Sequence, residues 1–483
     1  MAEKYKNKFD KLANAPIKGL ISSLAVPTIL SMLVSAFYNM ADSFFVGKIN
    51  TQSVASIGIV FSIMTLLQAI GFFLGNGSGI MISTLLGEKN KKKAEIYANV
   101  ALFTVIGIGV LLAVVGLFFS KSIALMLGAT KTTAHYASTY LKYILLGSPF
   151  ILGSFVLNNQ LRYQGSALYS MIGILTGSII NIALDPLFIF TFKLEVAGAA
   201  LATAVSQIIS FFILYFGTFK NENIRVSLKL FKPSKEIYLT IFKNGLPSLS
   251  RQGIGTIANI AMNFACAPYG DAVIAGMSVY NRVMFIGMAV VIGYGQGYQP
   301  VCSFNHGAKK YERVYQGYKF LVIITTIIIT VLSVIGYIFA PELIAIFRKD
   351  NDVIKAGVQA LRFQCFAMVV TGFCTASNML MQSLRISGKA TILALARQGI
   401  FYIPLILILP HLLGQTGIAL AQPVADILSF VLTIFLVKPT VKELKRLLRI
   451  IPKSASLIYI HFFFLNKYSK KITIKKQTTI IEP

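Results

Sequence analysis

Residues 75–90 read GNGSGIMISTLLGEKN, and residues 293–310 read GYGQGYQPVCSFNHGAKK. Gly75-Asn76-Gly77 stands 220 positions before Gly295-Gln296-Gly297 (295 − 75), and Gly87-Glu88-Lys89 stands 220 before Gly307-Ala308-Lys309 (307 − 87). Pro27 and Pro247 share that separation (247 − 27). Leu161-Arg162-x-x-Gly165 pairs with Leu384-Arg385-x-x-Gly388 at 223 (384 − 161), and Gly198-x-x-Leu201-Ala202 with Gly417-x-x-Leu420-Ala421 at 219 (417 − 198). A near-constant separation across several segments marks an internal duplication, so the fold is two copies of one unit.

The unit is a membrane bundle. Hydrophobic residues make up 55% of the 483 and charged residues only 13%, against about 25% charged in an ordinary soluble domain. Mean hydropathy is +0.72. Runs of roughly 20 apolar residues cross the hydrocarbon layer. Twelve are expected, at about 18–47, 54–84, 95–119, 136–158, 167–190, 197–218, 238–266, 273–303, 317–339, 357–381, 391–410 and 415–437. Six spans per copy is an even number, so both copies enter the membrane from the same side. They form parallel lobes related by a pseudo-two-fold axis along the membrane normal.

The formal charge of +28 is placed in alternate loops: Lys89 to Lys93, Lys220 to Lys235, Lys309 to Arg313, Arg385 and Lys389. That is the positive-inside pattern rather than a nucleic-acid surface. It puts both termini in the cytoplasm and predicts a multi-pass protein of the cytoplasmic (inner) membrane. The expected organisation is an N-lobe over 1–218, a cytoplasmic linker over 219–237, a C-lobe over 238–440 and a basic cytoplasmic tail over 441–483. In that tail VKELKRLLRI (441–450) reads as an amphipathic stretch on the inner leaflet. LIYIHFFFL (457–465) is too short to span, and the basic end from Lys467 to Lys476 reads as solvated.

The four cysteines and four histidines are scattered, and no P-loop or nucleophile elbow occurs. No enzyme activity, organic cofactor or ATP site is expected. Two carboxylates break the pattern. Asp42 lies in NMADSFFVG (39–47) and Asp185 in NIALDP (181–186). A charged Asp at the centre of a membrane helix costs roughly 2.5–3.5 kcal/mol on insertion scales, and such residues usually face a polar cavity on an ion or proton path. The plain alternative is a hydrogen-bonded contact between helices. Asn181 and Asp185 are four apart and share a helix face with Ser178; Tyr38 and Asp42, and Thr203 and Gln207, are further such pairs.

In order along the chain, NMADSFFVG, GNGSGIMISTLLGEKN, LRYQG, NIALDP, GAALATAVSQ (198–207), GYGQGYQPVCSFNHGAKK, LRISG (384–388) and GIALAQPVAD (417–426) resemble the MATE family of cation-coupled multidrug antiporters. The resemblance covers roughly residues 15–450 and is nearest its MepA-like bacterial branch. It implies an all-α integral membrane fold, alternating access and export of small amphipathic, often cationic drugs against Na⁺ or H⁺. A monomer in contact only with membrane lipids and drug substrates is expected. The resemblance carries the coupling site to Asp42, Asn181, Asp185 and Thr203, whose oxygen donors would bind Na⁺ or whose carboxylates would share a proton. It carries the substrate cavity to Tyr38, Tyr140 and Asn158, with Ser178 beside them. Pro27 is a candidate hinge, as are Pro186 and Pro404, with static kinks as the alternative.

The C-half departs from the branch of the family with an acidic C-lobe site. Asp271 falls at an outer loop, and Asp426 lies in the last span with Arg397 as one conceivable partner. Arg251 and Arg282 stand near polar stretches. They leave open a lipid or lipid-linked oligosaccharide flippase, whose cavity would need basic residues. A passive channel and a membrane hydrolase lack the required motifs.

Overall fold

A computed structural model describes residues 8–220 and 222–477, with side chains described as far as Leu448 except those of Asn39, Ser43 and Thr51. The regular elements among them are helical: α1 (Lys8–Asn14), α2 (Ile17–Gly47), α3 (Thr51–Gly87), α4 (Lys91–Met126), α5 (Ala134–Tyr163), α6 (Ala167–Pro186), α7 (Glu195–Gly217), α8 (Lys235–Cys266), α9 (Asp271–Gly307), α10 (Tyr311–Ile338), α11 (Ala340–Ala345), α12 (Asn351–Met368), α13 (Thr371–Ser383), α14 (Ser387–Leu395), α15 (Tyr402–Leu413) and α16 (Gln415–Gln477). In hydrocarbon every backbone group must be satisfied within its own segment, which selects helices. Where the chain leaves the apolar layer, side chains take over the first free N–H groups. Asn50 caps α3 through Ser53, Asn90 caps α4 through Lys93, Ser234 caps α8 through Ile237, and Asp350 caps α12 through Asp352 and Val353.

Ten helices among the described residues are long and apolar enough to cross a membrane, and α12 with α13 makes an eleventh, bent by 58°. The twelfth is α8. Its 32 residues reach about 48 Å at 1.5 Å each, but Lys243, Asn244, Arg251, Gln252, Asn259 and Asn263 make it polar. It is held by packing against α3, α14 and α15. The outer faces carry large apolar side chains such as Phe118, Phe264 and Phe366, each more than 70% exposed, as suits a bundle set in an apolar surrounding.

Two expectations about the C-half are corrected. The span placed at 357–381 is not continuous: it breaks at Val369-Val370, between α12 and α13. The span placed at 391–410 is found as one, Ser387–Leu413, running through α14, a π-helical turn over Ala396–Phe401, and α15. The second correction concerns the repeat itself. α5 ends in a turn where Ser166 N–H donates to Leu161 O with Gly165 at φ +81°. α13 ends in the same turn, Ile386 N–H to Met381 O with Arg385 at φ +62°. The equivalent of Gly165 is therefore Arg385 (385 − 165 = 220), not Gly388. Asn158 Nδ2 donates to Ser170 O and Asn378 Nδ2 to Ala390 O, again 220 apart. The separation of 220 thus holds through these turns and contacts, and Gln382 occupies the position of Arg162.

The two-fold relation shows in how the lobes meet. α2 packs on α9, α3 packs on α8, and α3 packs on α9 across the axis. A Cβ added to Gly87 would lie 2.1 Å from Phe304 O, and one added to Gly307 would lie 2.1 Å from Thr84 O. Only glycine permits that approach. Ser83 Oγ donates to Pro300 O at 3.0 Å beside it. This is the basic end of the bundle, where α1 also docks. Asn305 Nδ2 donates to Leu12 O, and Arg313 Nη2 to Ala15 O at 2.7 Å, while Lys8 bonds Ser166 and Asn223 on the other lobe.

The chain divides into two compact units, Met1–Ile434 and Phe435–Pro483. The first holds both lobes. The second is the distal part of α16, which runs as helix to Gln477. VKELKRLLRI is thus helical, and the side chains of 457–465 and Lys467–Lys476 lie outside the described residues.

Candidate coupling site

Each carboxylate sits far from the basic end. Asp42 follows 25 residues after Ile17 on α2 (42 − 17), and Asp185 closes α6. Pro186 supplies no N–H and crowds the preceding carbonyl, and the helix runs on as a π-turn over Leu187–Thr191. π-Turns are frequent at functional sites. α7 then returns with Thr203 facing α6.

The four coupling candidates are brought together and taken out of solvent: Asp42 is 6% exposed, Asn181 1%, Asp185 0% and Thr203 2%. Tyr140 on α5 donates its hydroxyl to Asp42 Oδ2 at 3.4 Å. Asn181 Nδ2 donates to Asp185 Oδ1 at 3.5 Å and to Thr203 Oγ1 at 3.4 Å. All these bonds are long. Three buried oxygens, Asp42 Oδ1, Asn181 Oδ1 and Asp185 Oδ2, have no hydrogen-bond partner among the described residues. Unpaired acceptors in a low-dielectric site are costly. No ion pair of Asp42 or Asp185 occurs among the described residues. The deficit is one of positive charge or of donors.

The donor set fits a hard cation. Two carboxylates, an amide oxygen and a hydroxyl offer oxygen alone. No group of three or more His, Cys, Asp or Glu side chains that could hold a metal occurs among the described residues. A proton shared by the two carboxylates would satisfy the same oxygens.

The remaining candidates fall as follows. Tyr38 lies one turn before Asp42, half-buried, and Ser178 is buried one turn before Asn181. Asn158 is committed elsewhere: its amide donates to Ser170 O at 3.1 Å and Ser170 Oγ at 2.6 Å, tying α5 to α6. Pro27 lies within an unbroken α2.

In the C-half both oxygens of the Asp426 carboxylate have donors. Arg397, in the π-turn over Ala396–Phe401, donates Nε–H to Asp426 Oδ1 at 2.7 Å. Gln364 and Gln422 donate to the same carboxylate at 2.6 and 2.9 Å. The sequence raised Arg397 as a partner but gave no hint of the two glutamines or of the π-turn.

A fold of two six-helix lobes with a buried acidic site in one of them defines a membrane transporter. The MatE family model matches residues 27–187 and again 247–408, two copies 220 apart (247 − 27), and the chain belongs to that family. It is 30% identical over 416 residues to the multidrug export protein MepA of Staphylococcus haemolyticus (strain JCSC1435), covering 86% of this chain and 91% of that one. Among solved structures it resembles a MATE in complex with MaD3S (TM-score 0.85, 25% identity, 92% of this chain and 100% of that chain). It also resembles the outward-facing conformation of a multidrug resistance MATE family transporter (TM-score 0.84, 25% identity, the same coverage).

Proposed function

We propose that this protein is a secondary multidrug exporter of the cytoplasmic membrane, with both termini inside. In this reading it exchanges amphipathic, often cationic compounds for Na⁺ or H⁺ at the Asp42–Asp185 site by alternating access. The observation that carries this reading is the trio of buried oxygens without a donor, Asp42 Oδ1, Asn181 Oδ1 and Asp185 Oδ2. One cation or one proton would complete it. Close glycine contacts join the lobes at the basic end, and in this reading that end is the cytoplasmic one and the coupling cation enters from the other side. Binding there would favour one conformation only through differential affinity. Releasing the cargo outward and carrying the cation inward is the exchange that follows.

Membrane lipid surrounds the bundle in this reading, and a monomer suffices, since both lobes lie on one chain. A lipid flippase is not favoured, because the relatives named above export drugs. Everted vesicles given a Na⁺ gradient or a pH gradient should accumulate a cationic dye, and Asp185→Asn should abolish that accumulation. Dye movement that ignores both gradients would defeat the proposal.

A further inference from the structure

A second group of buried charges lies where the lobes touch. Arg162, in the last turn of α5, is 2% exposed. Its Nη2 donates to Asn159 Oδ1 at 2.6 Å and to Asn76 Oδ1 at 3.0 Å. From there the bonds cross into the other lobe. Asn76 Nδ2 donates to Ser248 Oγ at 3.1 Å, Gln382 Nε2 donates to the same hydroxyl at 3.4 Å, and Gln299 Nε2 donates to Gln382 Oε1 at 2.6 Å. Arg162 Nε and Nη1 and the Tyr163 hydroxyl have no partner, and the guanidinium stands 5.2 Å from the centre of the Tyr163 ring. Arg251 of α8, half-buried, lies one turn after Ser248 (251 − 248 = 3), on the helix face that bonds Asn76. Neither arginine has an ion-pair partner among the described residues.

This nook is the inverse of the coupling site: two guanidiniums and a free hydroxyl, with no carboxylate. A buried charge is normally paired. The duplication does not explain the arginines either, because the positions 220 away from them are Gln382 (162 + 220) and Ser31 (251 − 220). The charge exists once per molecule, at the joint between the lobes.

We propose that Arg162, Tyr163 and Arg251 bind one small inorganic anion, a halide, with chloride as the abundant candidate. Nε and Nη1 do not share an edge of the guanidinium, so the two-point clasp that favours carboxylate and phosphate is not on offer. A halide needs only one of these donors, with the Tyr163 hydroxyl and Arg251 as its other partners. Residues of both lobes build the site, so it is complete only while the cytoplasmic end is closed. Chloride therefore favours the closed end, and opening releases it. The site shares no residue with Asp42 and Asp185 and stands whether or not those carry the coupling ion.

The test uses the purified full-length protein at constant Na⁺, with chloride exchanged for gluconate. Radioactive chloride should bind saturably at one per molecule, and the thermal midpoint should rise with chloride. Arg251→Gln should weaken binding at least tenfold and Arg162→Gln should remove it, while Asp185→Asn should keep it. Equimolar inorganic phosphate should not displace the chloride. Absence of saturable binding to the wild type, undiminished binding to Arg251→Gln, or displacement by phosphate would each overturn the assignment. Arg251→Gln decides alone if Arg162→Gln fails to fold.

Discussion

Arg397 reaches Asp426 across 2.7 Å and fills, with a tethered cation, the acidic position of the C-lobe. The N-lobe carboxylates Asp42 and Asp185 have no such tether. A lobe that carries its own cation has no need of one from solution, which in the proposed reading puts coupling in the N-lobe.

Removing one member of this buried pair should therefore destabilise. Arg397→Ala leaves Asp426 with only Gln364 and Gln422 and should cost about 3–5 kcal/mol. The double change Arg397→Met with Asp426→Leu should cost clearly less. Reversible unfolding in detergent measures both, and equal losses would contradict the pairing.

The glycine contact at the basic end predicts a shift in conformation. Gly87→Val would drive a side chain into Phe304 O, 2.1 Å from the nearest added carbon. Spin labels at Lys92 and Lys309 should then report a longer mean distance than in the wild-type background. An unchanged distribution would mean that the helices yield without opening.

Burial of Lys8 beside Ser166 and Asn223 lowers its pKa from 10.5 to about 7, helped by Lys91 and opposed by Glu222. The folded protein then binds fewer protons than the unfolded chain between about pH 7 and 10.5, so stability rises with pH over that window. The cost is greatest below pH 7. Amides of residues 9–15 should gain hydrogen-exchange protection between pH 6 and pH 9 once intrinsic rates are divided out. Lys8→Met should flatten the trend, and a loss of protection at high pH would contradict it.

Orientation is open to labelling. Lys91 and Lys229 are exposed at the basic end, and Asp350 is exposed before α12 at the other. Cysteines there should react with an impermeant reagent from inside, inside and outside respectively. Labelling of Lys91→Cys and Asp350→Cys from one side would break the twelve-span topology.

What could be read from the sequence was what disturbs an apolar background. Asp42 and Asp185 stand out because a carboxylate in hydrocarbon is an energetic anomaly, and α8 was found by its length although it is polar. The register of the second repeat was misread because Arg385 resembles Arg162 in letters, whereas the equivalence lies in backbone turns at Gly165 and Arg385. The break at Val369-Val370 has no proline or glycine to announce it. The π-turn carrying Arg397 includes Ile400, the residue four before Pro404 (404 − 4), whose carbonyl the proline ring crowds and leaves without an N–H. The α1 dock depends on neighbours more than a hundred positions away, and Arg162 is held by Asn76 from another helix, 86 positions away.

Asp42 and Asp185 are read as one unit, so Asp42→Asn and Asp185→Asn should each abolish coupled efflux while the protein still inserts. The double variant should be little worse than either single. Losses that multiply would mean two independent sites.

The most direct measurement of the central claim is equilibrium binding of a cationic dye to the purified protein over a series of Na⁺ concentrations and of pH. If the donor-free oxygens of Asp42, Asn181 and Asp185 take the coupling ion, dye affinity should fall as Na⁺ rises or as pH falls. Coupling free energies of roughly 1–3 kcal/mol correspond to about 5–150-fold. Asp185→Asn should remove the dependence. Wild-type dye affinity indifferent to both Na⁺ and pH would contradict the account.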